Sequence, residues 1–158
     1  MSIQQDEMLK KIKSVIGEKV YFKTDYRPNW MKNPRTNHNL EIDIYIPKIY
    51  LGFEYQGFHH FSHSDKVRFK DSIKNNLAKR KFYACSIVEL FEQDLFTEDF
   101  KSILIQRVKE QAHKHTYNKF SVLVQQKEFA DISEKQYKDF ETQTAELFAD
   151  VDLANYVY

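Results

Sequence analysis

The sequence predicts an α/β domain built on a mixed sheet of about four strands flanked by helices. Three observations carry this. Residues 41–47 and 51–57 each alternate apolar and polar side chains, the period-2 signature of strands. Residues 4–16, 66–82 and 98–115 instead place apolar side chains at helical spacing. A short, largely apolar run, Cys85–Phe91, then follows the second helical segment, so strand, helix and strand form a unit whose strands are parallel and whose crossover is right-handed. At 158 residues the chain fits one domain with a proper core, burying on the order of 70% of its unfolded surface.

Taken in order, helix 4–16 is predicted by Met8, Ile12, Val15 and Ile16, with Gly17 as its stop because a left-handed C-cap favours glycine. Val20 to Tyr26 reads as a strand. Arg27-Pro-Asn-Trp30 through Asn39 reads as a loop rich in Pro, Asn and basic residues. In the next strand Ile42, Ile44 and Ile46 alternate with Glu41, Asp43 and Tyr45. Pro47 cannot donate to a ladder, which places a turn there. Leu51, Phe53 and Tyr55 then alternate with Gly52, Glu54 and Gln56. Residues 58–65 form a loop carrying His59, His60 and His63. The helix over 66–82 turns Val67, Ile73, Leu77 and Phe82 inward among seven cations: Lys66, Arg68, Lys70, Lys74, Lys79, Arg80 and Lys81. After the strand 85–91, a helix over 98–115 rests on Phe100, Ile103, Leu104 and Val108. Beyond it, Phe120–Val124 is expected as a further strand and residues 134–148 as an acidic helix. The domain organisation expected is a core over 1–115 and an acidic, helical extension over 116–158 packed on it.

The formal charge is +1 overall, yet residues 121–158 hold three Lys against eight acids, and the first 120 hold 21 Lys and Arg against 15 acids. This asymmetry favours a polyanionic partner for the basic part. Cys85 is the sole cysteine, which excludes an intramolecular disulfide and a cysteine-based zinc site and suggests a reducing compartment. No apolar run approaches membrane-spanning length and the N-terminus has no signal-peptide core. The expectation is a soluble, cytoplasmic protein (nuclear in a eukaryotic host) without a membrane partner.

The chemistry is concentrated in the acidic hairpin. A two-residue turn at 47–48 places Glu54 diagonal to Asp43 at roughly 7–8 Å, whereas a four-residue turn at 47–50 pairs them directly at roughly 5 Å. Either register keeps Asp43, Glu54 and Gln56 on one face; an odd turn separates them. Two carboxylates at that spacing suit Mg²⁺, which accepts one or two acids and keeps several waters. The main-chain carbonyl of Tyr55 offers a further oxygen. Crowding two acids raises at least one pKa until a cation arrives. Gly52, on the Asp43 face, marks either a close approach by a ligand or a bulge.

Several segments together resemble one known family. These are Glu7-Met-Leu-Lys-Lys-Ile12, the loop Tyr26-Arg-Pro-Asn-Trp30, Leu40-Glu-Ile-Asp-Ile-Tyr-Ile-Pro47, Phe53-Glu-Tyr-Gln-Gly-Phe-His-His-Phe61, Asp71-Ser-Ile-Lys-Asn-Asn-Leu-Ala78 and Ile87-Val-Glu-Leu90. The pattern resembles the PD-(D/E)XK, or restriction-endonuclease-like, nucleases, most of all the branch related to very-short-patch repair endonucleases and to homing nucleases with a similar core. It covers about residues 4–95. The resemblance implies a three-layer restriction-endonuclease-like core and a metal-dependent DNA endonuclease, with Mg²⁺ as cofactor and Mn²⁺ as substitute. It implies Asp43 and Glu54 as metal ligands, Glu7 as an accessory acid from the first helix, and Gln56 in the place usually held by Lys. Gln offers only neutral hydrogen bonds there, so the cation is expected from Lys74 or the proton transfer from His60.

Plainer readings stand beside these. Asp43 and Glu54 fit the solvated face of an ordinary antiparallel hairpin. Glu7 is favoured near a helix start by the dipole alone. Tyr26, Arg27 and Trp30 stack on nucleic acid or pack over the sheet. The seven cations of 66–82 form either a solvated face or a run of DNA backbone contacts. A homodimer is compatible with the sequence. The rival to the enzyme is a nucleic-acid-binding module that kept the fold and lost turnover with its Lys.

Overall fold

The computed structural model describes residues 1–57, Lys74 and residues 85–149. The expected loop 58–65 with its three histidines and, Lys74 apart, the expected helix 66–82 lie outside the described residues.

Helix α1 (Ile3–Ile16) begins at Ser2, whose hydroxyl accepts from Gln5 N while Gln5 Oε1 accepts from Ser2 N, at 3.1 and 2.8 Å. This reciprocal capping box satisfies two N–H groups that a helix start leaves without partners. Gly17 ends the helix at φ 96°, a conformation that a Cβ would strain. Four strands follow: β1 (Lys23–Tyr26), β2 (Ile42–Ile46), β3 (Leu51–Gln56) and β4 (Ser86–Phe91). They form one mixed sheet in the order β1-β2-β3-β4, antiparallel through β3 and parallel between β3 and β4. The α/β class and the parallel pairing of β3 with β4 are therefore as predicted.

The hairpin turn is the four-residue one. Ile46 pairs with Leu51 and Tyr45 with Gly52. Between them Pro47–Ile49 form one 3₁₀ turn, closed by Tyr50 in the left-handed region at φ 53°.

Two apolar clusters lie against the sheet. Ile44, Phe53 and Val88 pair across β2, β3 and β4 and share a core with Met8 and Ile12 of α1. Leu104 and Val108 of α3 (Phe100–Gln111) and Phe120 of α4 (Lys114–Phe148) complete it. The second cluster joins Met31, Leu40, Ile42, Tyr45, Cys85 and Ile87, with Trp30 packed against it and Tyr26 stacked on Tyr45 at 5.0 Å between ring centroids. Trp30 and Tyr26 thus pack over the sheet, while Arg27 pairs with Glu41 at 2.8 Å. Strict alternation groups Ile42 with Ile44 and Ile46. Instead Ile42 joins the second cluster, and its Cγ2 lies 2.9 Å from where a Cβ on Gly52 would sit. The close approach that requires glycine at position 52 is made by this neighbouring side chain, so no ligand is needed to explain it.

The expected strand over Phe120–Val124 is corrected: these residues belong to α4. Thr116, Phe120, Leu123 and Val124 are its buried positions, spaced by four, three and one, which is a helical face closing over the first core. Five mostly apolar residues read alone do not separate strand from helix. One compact unit runs from Met1 to Val124 and a second begins at Gln125. In the second, α4 continues with Phe129, Ile132, Tyr137, Phe140, Leu147 and Phe148 exposed. No helix among the described residues is long and apolar enough to cross a membrane.

The end of β4 is tied down by polar contacts. The short helix α2 (Glu92–Leu95) places Asp94, 2% exposed, where it accepts from Phe91 N at 2.9 Å and from Arg107 Nε and Nη2 at 3.2 and 3.1 Å. A buried acid needs this compensation, and the fork-shaped guanidinium supplies it in two bonds.

Candidate functional site

Asp43 and Glu54 lie one step beyond the Ile44–Phe53 pair on adjacent strands. They are 6% and 7% exposed, which excludes a solvated hairpin face. Every residue of β2 is buried. Asp43 Oδ2 accepts from the main-chain N–H of Tyr55 at 2.9 Å, which fixes its carboxylate over β3.

Glu54 lies beside Asp43 and is ion-paired with Lys74, whose Nζ stands 2.9 Å from Glu54 Oε1. Burial pushes the Glu54 carboxyl well above the ordinary carboxylate range, the Asp43 charge pushes it further, and Lys74 only partly opposes this. Removing a carboxylate from water disfavours its charged form, and a second acid beside it adds to the effect.

The sign for stability follows. The folded pKa lies above the unfolded value of about 4.3, so the folded state holds more protons and stability falls as pH rises through and beyond that value. Glu54→Gln removes the titration and keeps an acceptor for Lys74. The melting temperature of the variant relative to the wild type is expected to climb between about pH 4 and pH 7. Parallel melting curves across that range check it, and a constant difference overturns it.

Gln56, 4% exposed, shares the Glu54 face by strand alternation. Its Nε2 donates to Glu89 Oε1 at 3.3 Å, and its Oε1 is buried with no hydrogen-bond partner among the described residues. Glu89 pairs with Glu54 in the parallel β3/β4 register. From the sequence alone Glu89 reads as part of a largely apolar strand. The signal was present: it is the one charged residue in Cys85–Phe91.

The structure thus brings together Asp43, Glu54, Gln56 and Lys74 of the predicted site. Tyr55 contributes its N–H to Asp43. Glu7 is exposed on α1, and among the described residues no group of three or more His, Cys, Asp or Glu is arranged to hold a metal ion. An accessory role for Glu7 beside the pair is therefore not carried by the geometry. His60 lies outside the described residues.

Two hard-oxygen donors remain as the candidate ligand set. This does not suit a closed tetrahedral zinc site, which takes four nitrogen or sulfur ligands. It does suit Mg²⁺ or Mn²⁺, which keep waters in most positions.

Two viral proteins are similar to this chain. "Uncharacterized protein 307L" of Invertebrate iridescent virus 6 is 34% identical over 93 residues, covering 52% of this chain and 47% of that protein. "Uncharacterized protein 033L" of Invertebrate iridescent virus 3 is 49% identical over 39 residues, covering 25% of this chain and 20% of that protein. The chain spans about half the length of the first and a fifth of the second. No family model matches the sequence. No solved structure matches it.

Proposed function

We propose that this chain is a metal-dependent DNA endonuclease of the restriction-endonuclease-like type, hydrolysing phosphodiester bonds with Mg²⁺ held by Asp43 and Glu54. The observation that carries the reading is the buried Asp43–Glu54 pair on adjacent strands with Lys74 on Glu54. A fold gains nothing in stability by burying two crowded acids, one of them with a raised pKa. A bound divalent ion removes that penalty.

The donor set fits the ion on the terms given above: two carboxylates, hard oxygens, and space left for water and phosphate. When bound, Mg²⁺ supplies Lewis acidity at the phosphoryl oxygen and lowers the pKa of water. The chain's own residues do the rest. The Tyr55 N–H holds Asp43 in place. Glu54, whose raised pKa comes from burial and from the Asp43 charge, would be held in its ionised form by a bound cation. Lys74 then faces the charge that develops on the transferred phosphoryl group, the task that the Lys of the resembled motif performs two residues after its acid. Gln56 offers its carbonyl to water as a neutral acceptor. The six other cations of 66–82 bind the phosphate backbone, which makes affinity fall with salt.

One observation favours a second reading, a nucleic-acid-binding module without turnover: Gln56 spends its amide on Glu89 and brings no positive charge to the strand. One experiment separates the two. Supercoiled plasmid and branched DNA are incubated with the protein in Mg²⁺, in Mn²⁺ and in EDTA. Cleavage that requires the metal supports the enzyme. Salt-sensitive binding with no cleavage in either metal supports the module. Neither binding nor a metal-induced rise in melting temperature rejects both.

A further inference from the structure

The polar network continues past the predicted residues, and its order gives each member a task. Gln111, the last residue of α3, accepts from Glu89 N at 2.7 Å and donates through Nε2 to Glu89 O at 3.0 Å. Its side-chain amide thereby occupies both main-chain groups of Glu89 on the flank of β4 away from β3, as another strand would. His113 N adds a bond to Ser86 Oγ at 2.9 Å at the other end of β4. Glu89 is held by its backbone from one side while its carboxylate reaches Gln56 on the other.

That contact has a definite polarity. A carboxylate accepts and does not donate, so the Gln56 amide must present Nε2 to Glu89 and turn Oε1 the other way. Oε1 is a fully buried acceptor with no partner among the described residues. Such an atom left unsatisfied has its desolvation cost uncompensated, and nearly all buried polar atoms in proteins find partners. An orphan acceptor one alternate position along from a crowded acid pair is a place for a donor.

We propose that Glu89 is a positioning residue: it orients the Gln56 amide so that Oε1 stands as a fixed acceptor for a water molecule at the Asp43–Glu54 site. The inference rests on the nuclease reading of that pair. Gln56 takes no proton in this scheme. It holds the water by a hydrogen bond, with Glu89 setting its direction and Gln111 holding Glu89. Glu89 itself touches neither the metal nor the substrate.

Two measurements on the intact chain test it. In ¹⁵N-labelled protein the Gln56 side-chain NH₂ resonances, assigned by their loss in Gln56→Leu, report the Glu89 contact whether or not the protein cuts DNA. The expected result is one downfield, exchange-protected proton in the wild type. It is lost in Glu89→Ala and kept in Glu89→Gln, whose carbonyl still accepts. The second measurement is metal-dependent cleavage. Glu89→Ala is expected to lower kcat by about 10–100-fold, the range for residues that orient a site's contacts, with KM little changed and the melting temperature lowered by the loss of the acceptor for the buried Gln56 Nε2, and Glu89→Gln to recover most of both.

A Gln56 NH₂ signal unchanged in Glu89→Ala overturns the inference. So does an equal loss of kcat in both Glu89 variants, or a loss confined to KM. A wild type that does not cleave, alongside a Gln56 signal that behaves as expected, overturns the nuclease reading while leaving the Gln56 orientation established.

Discussion

Asp43→Asn is expected to reduce metal-dependent cleavage by about a thousandfold or more, since a site that loses charge on one of two ligands loses several kcal/mol of transition-state stabilisation. The substitution is chosen for what it leaves alone. Asn still accepts from Tyr55 N, the bond that Asp43 makes at 2.9 Å, so the hairpin keeps its geometry. Removing the negative charge next to Glu54 also relieves a cause of its raised pKa, so the metal-free variant is expected to melt at or above the wild-type temperature at neutral pH. Asp43→Ala instead leaves the Tyr55 N–H without its acceptor, a cost of about 1–3 kcal/mol where it is buried. The pair of variants separates chemistry from folding. Cleavage rates with Mn²⁺ and melting curves without it measure both, and an Asn variant that cuts as well as the wild type ends the case for this carboxylate as a ligand.

The second large effect concerns stability. Phe120→Ala is expected to cost about 3–5 kcal/mol, the usual range for truncating a buried aromatic, and to lower the melting temperature by on the order of 10 °C. Phe120 is fully buried on the face of α4 that closes over Met8, Phe53 and Leu104. Its neighbour Val122 is 50% exposed, and Val122→Ala should change stability by well under 1 kcal/mol. A strand at these positions places 120, 122 and 124 on one side, whereas the helix sets 122 apart from 120 and 124. Denaturant midpoints for the two variants therefore report the conformation of the segment, and comparable losses in both contradict the helix.

These examples show what was legible in the sequence. The hairpin was readable because its alternation has period two over a dozen residues and Pro47 marks the turn. The four-residue register was one of two that kept the acids together, and only the pairing of Ile46 with Leu51 decides between them. Lys74 was readable as a candidate cation because Gln56 brings no charge to the site. Glu89 was not, since its importance comes from a neighbour 33 residues away in the chain. Helical identity at 120–124 was hidden for a related reason: the pattern that reveals it begins at Thr116, in a stretch whose other residues are polar. The burial of both hairpin faces was equally out of reach, because alternation predicts one wet side and part of what packs there, Met31 and Leu40, comes from the 27–41 loop.

The parallel pairing of β3 with β4 has a consequence for the order of assembly. Asp43 and Glu54 meet across a short hairpin, a local contact that closes within microseconds in small chains. Glu89 reaches the same neighbourhood only after the chain has left Gln56 and returned at Ser86, so that its loop-closure entropy must be met before any contact rewards it. The acidic pair therefore has the lower closure cost and the Glu89–Gln56 alignment the higher one.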